Sequence, residues 1–372
     1  MTVERIKIGF FNCYYPEISG GSEYQTYLLA KSLDKTVYDP FFISLSTHKK
    51  GYQELNGDRV YFFKPESRLA KIDKGYIANA AFINRVIKKE NPKIIYQRMA
   101  NSASGILAYL SKIRDFKFIW ACASQEDILP LRFRLNSPGS WVENALRIYG
   151  IRRADSILLQ SSDQLDCLNR RFNLSGTILK NGHPDVDVIA HGYKQPLLVI
   201  FIGNFKKIKR PEIFIQLAEN FRRRKDVEFV MVGRIPDQNQ SASLIRRLSE
   251  IGNINWLGEL SQAETNSLLG QAYVLVNTSE YEGFSNTFIQ AWQRGVPVLS
   301  LSVDPDKLLN KEGLGICSGH YNRLCGDLEY LLSNPDVRNE MGRRGVQYAL
   351  KEHSLSAITS HFKKILAEVL NG

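Results

Sequence analysis

Residues 272–298 read AYVLVNTSEYEGFSNTFIQAWQRGVPV and contain a strand, a loop and a helix in direct succession. The apolar run at 272–277 predicts a buried strand. A helix is predicted after the loop, because Gly295 is placed to end it and Pro297 lies just beyond. A strand followed by a helix in this way is the repeating unit of an α/β protein with a parallel sheet.

The loop of this unit is the first candidate for a ligand site. Gly283 lets a ligand approach the backbone closely, and Ser285 and Asn286 are residue types that favour a helix N-terminus. The first-turn amides, including that of Thr287, would then face an anion beyond the carboxyl end of the strand. An ordinary capped helix beside a surface carboxylate, Glu282, would show the same pattern, so the loop alone leaves both interpretations open.

Strands and helices alternate along the rest of the chain, and the pattern breaks at 181–195, which predicts a linker. Further strands are predicted at 6–11, 41–45, 93–96, 116–120, 156–160, 197–202, 228–232 and 254–257, and helices at 22–33, 211–223, 241–251, 339–351 and 354–370. The prediction is an α/β chain with two Rossmann-like, doubly wound parallel-sheet domains facing a central cleft. The domains are expected at 1–188, onto which a terminal helix at 354–372 packs back, and at 189–353.

A second glycine-rich loop, Gly20-Gly21-Ser22-Glu23, follows the first strand. It lacks the GxGxxG of dinucleotide enzymes and the Gly-Lys-Ser/Thr of a P-loop, which disfavours hydride transfer and nucleotide hydrolysis. Its two glycine amides beside a helix N-terminus are suited to a phosphate. A flexible turn with Ser22 as the N-cap fits the same residues.

A third loop is cationic and lies between the strand at 197–202 and Pro211, which opens a helix. It contains Lys206, Lys207, Lys209 and Arg210. A developing diphosphate charge requires fixed cations nearby, which such a loop supplies. A solvated surface run has the same composition.

Composition excludes several classes of protein. The chain has 372 residues, 44% of them hydrophobic and 23% charged, and no apolar run approaches the roughly 20 residues of a membrane span. A cytoplasmic location is expected. Neither the cysteines nor the histidines have metal-ligand spacing, so no metal is predicted and the thiols are expected to be reduced and mostly buried. The cysteines are Cys13, Cys122, Cys167, Cys317 and Cys325.

The formal net charge is +11, of which +8 falls in residues 1–190 and +3 in the rest of the chain. An anionic membrane surface is the favoured partner, since nearby cations each contribute about 1 kcal/mol to lipid binding. Nucleic acid is not expected, because no zinc-finger or RNP-type signature accompanies the charge. Solvated helix faces are the alternative. The candidate basic residues are Arg85, Lys88, Lys89, Lys93, Arg98, Lys112, Arg114, Lys117, Arg132, Arg134, Arg147, Arg152 and Arg153.

Together these stretches resemble the retaining glycosyltransferases of the GT-B fold, in the large fourth family that includes many bacterial polysaccharide and lipopolysaccharide transferases. The resemblance covers nearly the whole chain, and its most specific part runs from Glu282 to Val298. The other elements are Gly20 to Glu23, Arg153-Ala154-Asp155, Asn181-Gly182, Gly203 with Lys209, Gly233, and Trp256-Leu257-Gly258.

The resemblance implies a nucleotide-diphosphate sugar, with a UDP-sugar expected, as co-substrate and no cofactor. It makes Lys209 and Glu282 the catalytic pair, with Lys209 neutralising the donor phosphates and Glu282 holding the sugar hydroxyls. The loop at Trp256 and Leu257 would line the base. The donor-binding positions it implies are Gly20, Gly21, Gly203, Asn204, Lys206, Arg210, Gly233, Arg234, Trp256, Leu257, Gly283, Phe284, Ser285, Asn286, Thr287 and Gln290.

Three positions depart from the family pattern. Gln290 stands where a second glutamate usually binds the ribose, although an amide oxygen also accepts a hydroxyl hydrogen bond. Asn204 stands where an arginine commonly accompanies the lysine, so Lys206, Lys207 or Arg210 would have to supply that charge. The histidine that many relatives have after the strand at 116–120 is absent from 123–127.

The resemblance implies retention by front-face attack, in which the leaving diphosphate takes the acceptor proton and no dedicated base is needed. The acceptor is expected to be a glycan or a lipid-linked glycan of a bacterial cell-surface polysaccharide. The oligomeric state is not predicted.

Several other activities stay open at this point. A sugar-nucleotide epimerase has the same architecture, and a degenerate transferase could serve as a non-catalytic partner subunit. A glycoside hydrolase could use Glu280 and Glu282. Asp-x-Asp triplets at 185–187 and 304–306 match the motif of metal-dependent transferases of another fold, although such triplets are frequent by chance.

Overall fold

The computed structural model describes residues 4–11, 20–45, 49–63, 76–129, 138–186, 195–235 and 238–372, and these form two units. Unit 1 comprises residues 1–182 and 355–372, and unit 2 comprises residues 183–354. The expected domain boundary at 188/189 lies in the stretch 187–194, outside the described residues. Each unit is built around one sheet.

The sheet of unit 1 has eight strands in the order β3-β4-β2-β1-β5-β6-β7-β8. They are β1 Ile6–Phe11, β2 Tyr38–Leu45, β3 Gly51–Leu55, β4 Asp58–Phe63, β5 Ile94–Arg98, β6 Lys117–Ala121, β7 Ser156–Leu159 and β8 Thr177–Ile178. All neighbouring strands are parallel except β3 and β4. The helices of this part are α1 Gly21–Ser32, α2 Tyr76–Glu90, α3 Ser102–Ile113, α4 Pro138–Arg153 and α5 Ser162–Phe172.

The antiparallel edge strand is a departure from the predicted parallel sheet. Leu55 pairs with Asp58 across a two-residue loop, Asn56-Gly57, and both loop residues have positive φ, 52° and 74°. Asn-Gly is the sequence that a type I′ hairpin turn requires. The dipeptide was therefore a readable local signal for the hairpin.

The sheet of unit 2 has six strands, all parallel, in the order β11-β10-β9-β12-β13-β14. They are β9 Leu197–Ile202, β10 Val227–Val232, β11 Ile254–Trp256, β12 Val274–Asn277, β13 Val298–Ser300 and β14 Gly315–Cys317. The helices are α6 Pro211–Asn220, α7 Gln238–Ile251, α8 Gln262–Leu269, α9 Asn286–Gln293, α10 Leu308–Lys311, α11 Tyr321–Ser333 and α12 Pro335–His353. The predicted fold class, two α/β domains with parallel sheets, is confirmed.

In unit 2, β10 and β11 extend the sheet on one side of β9, and β13 and β14 extend it on the other side, next to β12. The strand order therefore reverses between β9 and β12. Open α/β sheets bind ligands at such a reversal, beyond the carboxyl ends of the strands. Apolar side chains cover both faces of the sheet. Among them Trp292 of α9 is fully buried beside Gly345 of α12, where an added Cβ would lie 3.0 Å from the indole. This close helix packing fixes α9 and the loop before it.

The C-terminal helix α13, Leu355–Asn371, belongs to unit 1. Phe362 is fully buried and meets the Tyr96 ring edge-on at 5.6 Å. The Thr359 hydroxyl donates to the Ser32 hydroxyl at 2.7 Å. The last helix therefore completes the core on one face of the unit 1 sheet.

The expectation of mostly buried thiols is wrong for three of the four described cysteines. Cys122 is buried, whereas Cys167, Cys317 and Cys325 are half-buried, and all four are free thiols. The three lie on helices or at a strand end near the surface, where neighbouring residues cover a small side chain only in part. Cys13 lies outside the described residues.

Candidate functional site

Two loops meet at the strand-order reversal of unit 2, one after β9 and one after β12. β9 and β12 are hydrogen-bonded neighbours, with Val199 opposite Val274, so their carboxyl ends lie side by side. The Lys209 ammonium from the first loop lies 2.9 Å from Glu282 Oε1 of the second. The structure thus joins the two predicted catalytic residues in an ion pair.

The Glu282 carboxylate is held through one oxygen. Besides Lys209, the Asn277 side-chain amide and the Ser279 hydroxyl each donate to Oε1 at 2.7 Å. Burial raises the pKa of this carboxyl, but the Lys209 charge and the three hydrogen bonds outweigh it, so the pKa lies below its usual range. Within the described part of the chain Oε2 accepts no hydrogen bond, which leaves an ionised oxygen for a ligand hydroxyl.

Backbone and side-chain hydrogen bonds fasten the two loops together. The Thr278 hydroxyl donates to the carbonyl oxygens of Lys209 at 2.7 Å and Arg210 at 3.0 Å. The Glu280 amide donates to the Ile208 carbonyl at 2.9 Å. The distance between Lys209 and Glu282 is therefore set by a network and not by one ion pair.

Helix α9 begins directly after this loop, and no N-cap side chain bonds to its first backbone amides. Ser285 is the N-cap residue, as the sequence predicts, but it forms no side-chain capping bond and instead lies 2.9 Å from the Thr287 hydroxyl. The first turn contains no acidic residue. A helix N-terminus of this kind favours an anion, because the amide dipoles point out of it.

The side chains on α9 and before it face the interior. Phe284 packs against Trp292 at 6.1 Å and His353 at 4.9 Å between ring centroids, so only the Phe284 backbone can serve a ligand. Gln290 is 5% exposed. Its predicted contact with a ribose remains untested by this geometry.

His183, which the sequence interpretation did not include, contacts the same helix. Its Nε2 lies 3.3 Å from Asn286 Oδ1, and its backbone amide donates to the His353 carbonyl at 2.9 Å. Burial lowers the pKa of His183 to about 4, although the Asn286 bond opposes this shift. The imidazole is therefore neutral at physiological pH and orients the first residue of α9.

Three glycine-containing loops border the site at the ends of β9, β10 and β11. Gly233 has φ 143°, and an added Cβ there would overlap the Gly203 carbonyl. The Trp256 indole donates to the Gly233 carbonyl at 2.8 Å, which places its ring on this edge. Leu257 beside it is 47% exposed, so an apolar surface is available there.

The remaining predicted residues of unit 2 divide into bonded and solvent-facing groups. Asn204 Oδ1 accepts from the Arg234 amide at 3.1 Å, so this asparagine connects the ends of β9 and β10. Lys206 and Lys207 are exposed. The guanidinium of Arg210 contacts protein oxygens, at 2.8 to 2.9 Å. Lys209 is thus the predicted cation that the structure places against Glu282.

Gly20 and Gly21 belong to unit 1 and open α1. The N-cap residue is Gly20, with φ −140°, where one sequence interpretation had Ser22. The Tyr24 amide donates to the Gly20 carbonyl at 3.0 Å, and an added Cβ on Gly20 would overlap the Glu23 carboxylate. Residues 12–19, which precede this turn, lie outside the described residues.

Asn277, Thr278, Ser279 and His183 are site residues that sequence reasoning missed. Ser279 and Glu282 have the spacing of a capping box, Ser-x-x-Glu, which was a usable signal. Asn277 contacts Glu282 from five positions away, whereas the contacts of Thr278 and His183 join residues that are 69 and 103 positions apart.

Two family models match the chain. "Glycosyl transferases group 1" matches residues 189–348 and "Glycosyl transferase 4-like" matches residues 18–161. Among curated proteins, the N-acetyl-alpha-D-glucosaminyl L-malate synthase of Bacillus anthracis is 23% identical over 46% of this chain and 46% of its own. The alpha-D-kanosaminyltransferase of Streptomyces kanamyceticus is 21% identical over 63% of this chain and 65% of its own. The chain spans about half the length of the curated relatives it matches.

Solved structures share the whole fold at low identity. Sucrose-phosphate synthase from Thermosynechococcus elongatus superposes with a TM-score of 0.81 at 15% identity, over 99% of this chain and 100% of that one. Anabaena HepE in complex with UDP and glucose gives a TM-score of 0.76 at 14% identity, over 98% and 100%. These likenesses show the fold alone.

Proposed function

This chain belongs to the group 1 glycosyltransferases of the GT-B fold, and we propose that it transfers a sugar from a nucleotide-diphosphate sugar to an acceptor. The observation that carries the proposal is the Lys209–Glu282 pair at the strand-order reversal of unit 2. It supplies a cation for a diphosphate and an ionised oxygen for a sugar hydroxyl, beside the open N-terminus of α9.

This geometry supports the following proposed roles. Lys209 neutralises the charge that develops on the leaving diphosphate, which is where a preorganised cation lowers the barrier. Glu282 Oε2 accepts a donor sugar hydroxyl, and the backbone amides from Gly283 to Thr287 bind the sugar and the phosphate. Gly20 and Gly21 of unit 1 are proposed to contact the donor phosphates as well.

We propose that the configuration at the anomeric carbon is retained. The acceptor oxygen attacks this carbon on the face from which the diphosphate leaves, the bond to the diphosphate breaks, and a diphosphate oxygen takes the acceptor proton. Positioning and stabilisation of leaving-group charge then suffice.

UDP is the proposed nucleotide. Anabaena HepE, which shares the fold, has been solved with UDP and with UDP-glucose, which supports this choice. Trp256 and Leu257 offer an apolar surface for a base, and the Gln290 amide is the proposed ribose contact. Gly203, Asn204, Gly233 and Arg234 are proposed to border the same donor site.

The reaction is proposed to need no metal, because Lys209 supplies the counter-charge. Of the two Asp-x-Asp triplets, Asp304 already accepts a hydrogen bond from the Leu309 amide at 2.8 Å, and Asp187 lies outside the described residues. Activity should persist in EDTA. Loss of activity in EDTA that Mg²⁺ or Mn²⁺ restores would contradict this part.

The acceptor is proposed to be a lipid-linked or free glycan of a cell-surface polysaccharide, met at the inner face of a membrane. Of the basic residues that support a membrane contact, Arg85, Lys88, Arg152 and Arg153 are exposed on α2 and α4. Others serve the fold: Arg98 donates to Asn181 at 2.6 Å, and Arg147 donates to backbone carbonyls. Arg132 and Arg134 lie outside the described residues.

No helix among the described residues has the length and apolar character to cross a bilayer.

Liposome flotation tests the membrane contact. Replacing Arg85, Lys88, Arg152 and Arg153 together by glutamine should lower binding to vesicles containing phosphatidylglycerol at least fivefold. Binding to neutral vesicles should not change. Unchanged binding to the anionic vesicles would contradict the contact.

A nucleotide-sugar panel with mass analysis of products tests the activity itself. Lys209→Ala and Glu282→Ala should each lower kcat/KM at least tenfold, about 1.4 kcal/mol. Lys225→Ala and Glu250→Ala are matched controls, since both side chains are exposed on the same unit. Near-normal turnover in the site variants would refute the assignment.

The same panel separates the rival functions. An altered sugar nucleotide formed without acceptor would identify an epimerase. Failure of the wild-type chain to bind any nucleotide sugar would favour a non-catalytic partner subunit.

A further inference from the structure

Arg210 lies between the short 3-10 turn Lys207–Lys209 and helix α6, in a left-handed backbone conformation with φ 45° and ψ 54°. Residues other than glycine are unfavourable in this region of backbone conformation. An arginine that persists there needs a compensating set of contacts, and the structure shows where they are.

The guanidinium of Arg210 reaches three oxygens of two other loops. Its Nε donates to the Thr278 carbonyl at 2.8 Å, and its Nη2 donates to the Ser279 carbonyl and the Ser302 hydroxyl, each at 2.9 Å. Thr278 and Ser279 follow β12, and Ser302 follows β13. One side chain therefore connects the ends of β9, β12 and β13.

The contacts run in both directions. The Thr278 hydroxyl returns a hydrogen bond to the Arg210 carbonyl at 3.0 Å. The residues that Arg210 holds lie immediately before Glu282, and Ser279 itself donates to the Glu282 carboxylate. Moving this segment would displace Glu282 from Lys209.

We infer that Arg210 is a positioning residue and not a phosphate ligand: it fixes the segment 278–282 so that Glu282 stays against Lys209. Its Nε and Nη2 donors already point at protein oxygens. The catalytic consequence rests on the proposed function, whereas the structural consequence does not.

Hydrogen exchange on the ligand-free protein tests the structural part. The amides of Ser279 and Glu280 are hydrogen-bonded, to Asn277 Oδ1 at 3.1 Å and the Ile208 carbonyl at 2.9 Å, so a peptide covering 278–285 reports on this segment. Arg210→Gly, which suits the backbone conformation, should speed its exchange at least tenfold. Arg210→Lys should do the same, because lysine has a single donor nitrogen, whereas Arg210 donates from two, Nε and Nη2, held in a planar group. Exposed Arg223→Ala is the control, and a peptide over β10 should not change in any variant.

Turnover and UDP binding test the catalytic part. Both Arg210 variants should lower kcat at least tenfold with a smaller change in the KM for the donor, and lysine should not rescue. Unchanged exchange of 278–285, or full recovery of UDP affinity and turnover in Arg210→Lys, would overturn the inference in favour of a phosphate contact. If the wild-type chain transfers no sugar, the proposed function fails and the exchange experiment still decides the role of Arg210.

Discussion

Glu282 of unit 2, which is half-buried, and Asp127 of unit 1, which is buried, are two carboxylates that follow parallel strands and differ in their surroundings. Glu282 contacts Lys209 and accepts hydrogen bonds through one oxygen. Asp127 uses both oxygens, accepting from the amides of Ala100, Ala123 and Ser124 at 2.7 to 3.1 Å.

The pKa values of these two groups shift in opposite directions. Burial raises the pKa of Asp127, and neither its three backbone hydrogen bonds nor the charge of Arg147 overcomes that effect. For Glu282 the contact with the Lys209 charge reverses the outcome, and the pKa lies below its usual range. Direct contact with a cation thus lowers the pKa of Glu282 below its usual range. The charge of Arg147, which forms no ion pair with Asp127 among the described residues, does not offset the effect of burial on Asp127.

The largest expected effect is on catalysis at Glu282. Glu282→Gln keeps the shape but loses the charge that pairs with Lys209 and accepts a sugar hydroxyl, so kcat/KM should fall roughly 10- to 100-fold, about 1.4 to 2.7 kcal/mol. Steady-state kinetics with the donor found by the panel measure this. Glu280→Gln is the control, because that side chain is exposed two residues away. Equal losses in both variants would favour a hydrolase that uses the two carboxylates.

The next effect is on stability at Asp127. Asp127→Asn replaces one accepting oxygen by an NH₂ group that faces a backbone donor, so the free energy of unfolding should fall by about 1 to 3 kcal/mol at neutral pH. Urea denaturation measures it, with exposed Glu126→Gln as the control. An unchanged unfolding midpoint would show that these amides do not depend on the carboxylate.

The pH dependence of stability should have opposite signs for the two groups. The lowered pKa of Glu282 stabilises the fold above the usual glutamate value, and this contribution disappears as the pH falls through the folded-state pKa. The raised pKa of Asp127 stabilises the fold below the usual aspartate value, and this contribution disappears as the pH rises through the folded-state pKa. Across the acidic range, the stability of wild type relative to Glu282→Gln should rise with pH, and that relative to Asp127→Asn should fall. Urea midpoints over a pH series give both slopes, and slopes of the same sign would contradict the comparison.

The smallest effect is expected at the exposed border of the unit 2 site. Leu257→Ala removes an apolar surface proposed to line the base, so the KM for the donor should rise about three- to tenfold, about 0.6 to 1.4 kcal/mol. The free energy of unfolding should change by less than about 0.5 kcal/mol, because Leu257 is 47% exposed. A changed unfolding midpoint with unchanged KM would assign the residue to the fold.

Much of this organisation could be read from neighbouring residues. The apolar run before Glu282, the N-cap residue Ser285 and the position of Gly295 predicted a strand, a loop and a helix, and the structure has β12 and α9 there. Asn56-Gly57 held an equally local signal for the hairpin that the parallel-sheet prediction omitted.

The site itself depended on contacts that no local pattern encodes. Arg210 meets Thr278 across 68 residues and Ser302 across 92, and His183 meets Asn286 across 103. Propensity, periodicity and capping are properties of residues a few positions apart, so the sequence by itself determined the fold class, part of the elements and the identity of the loop at Glu282. Which side chains face one another across those loops follows from the order of the strands. Only the tertiary structure decided that Arg210 binds the carbonyls of Thr278 and Ser279, whereas Lys209 pairs with Glu282.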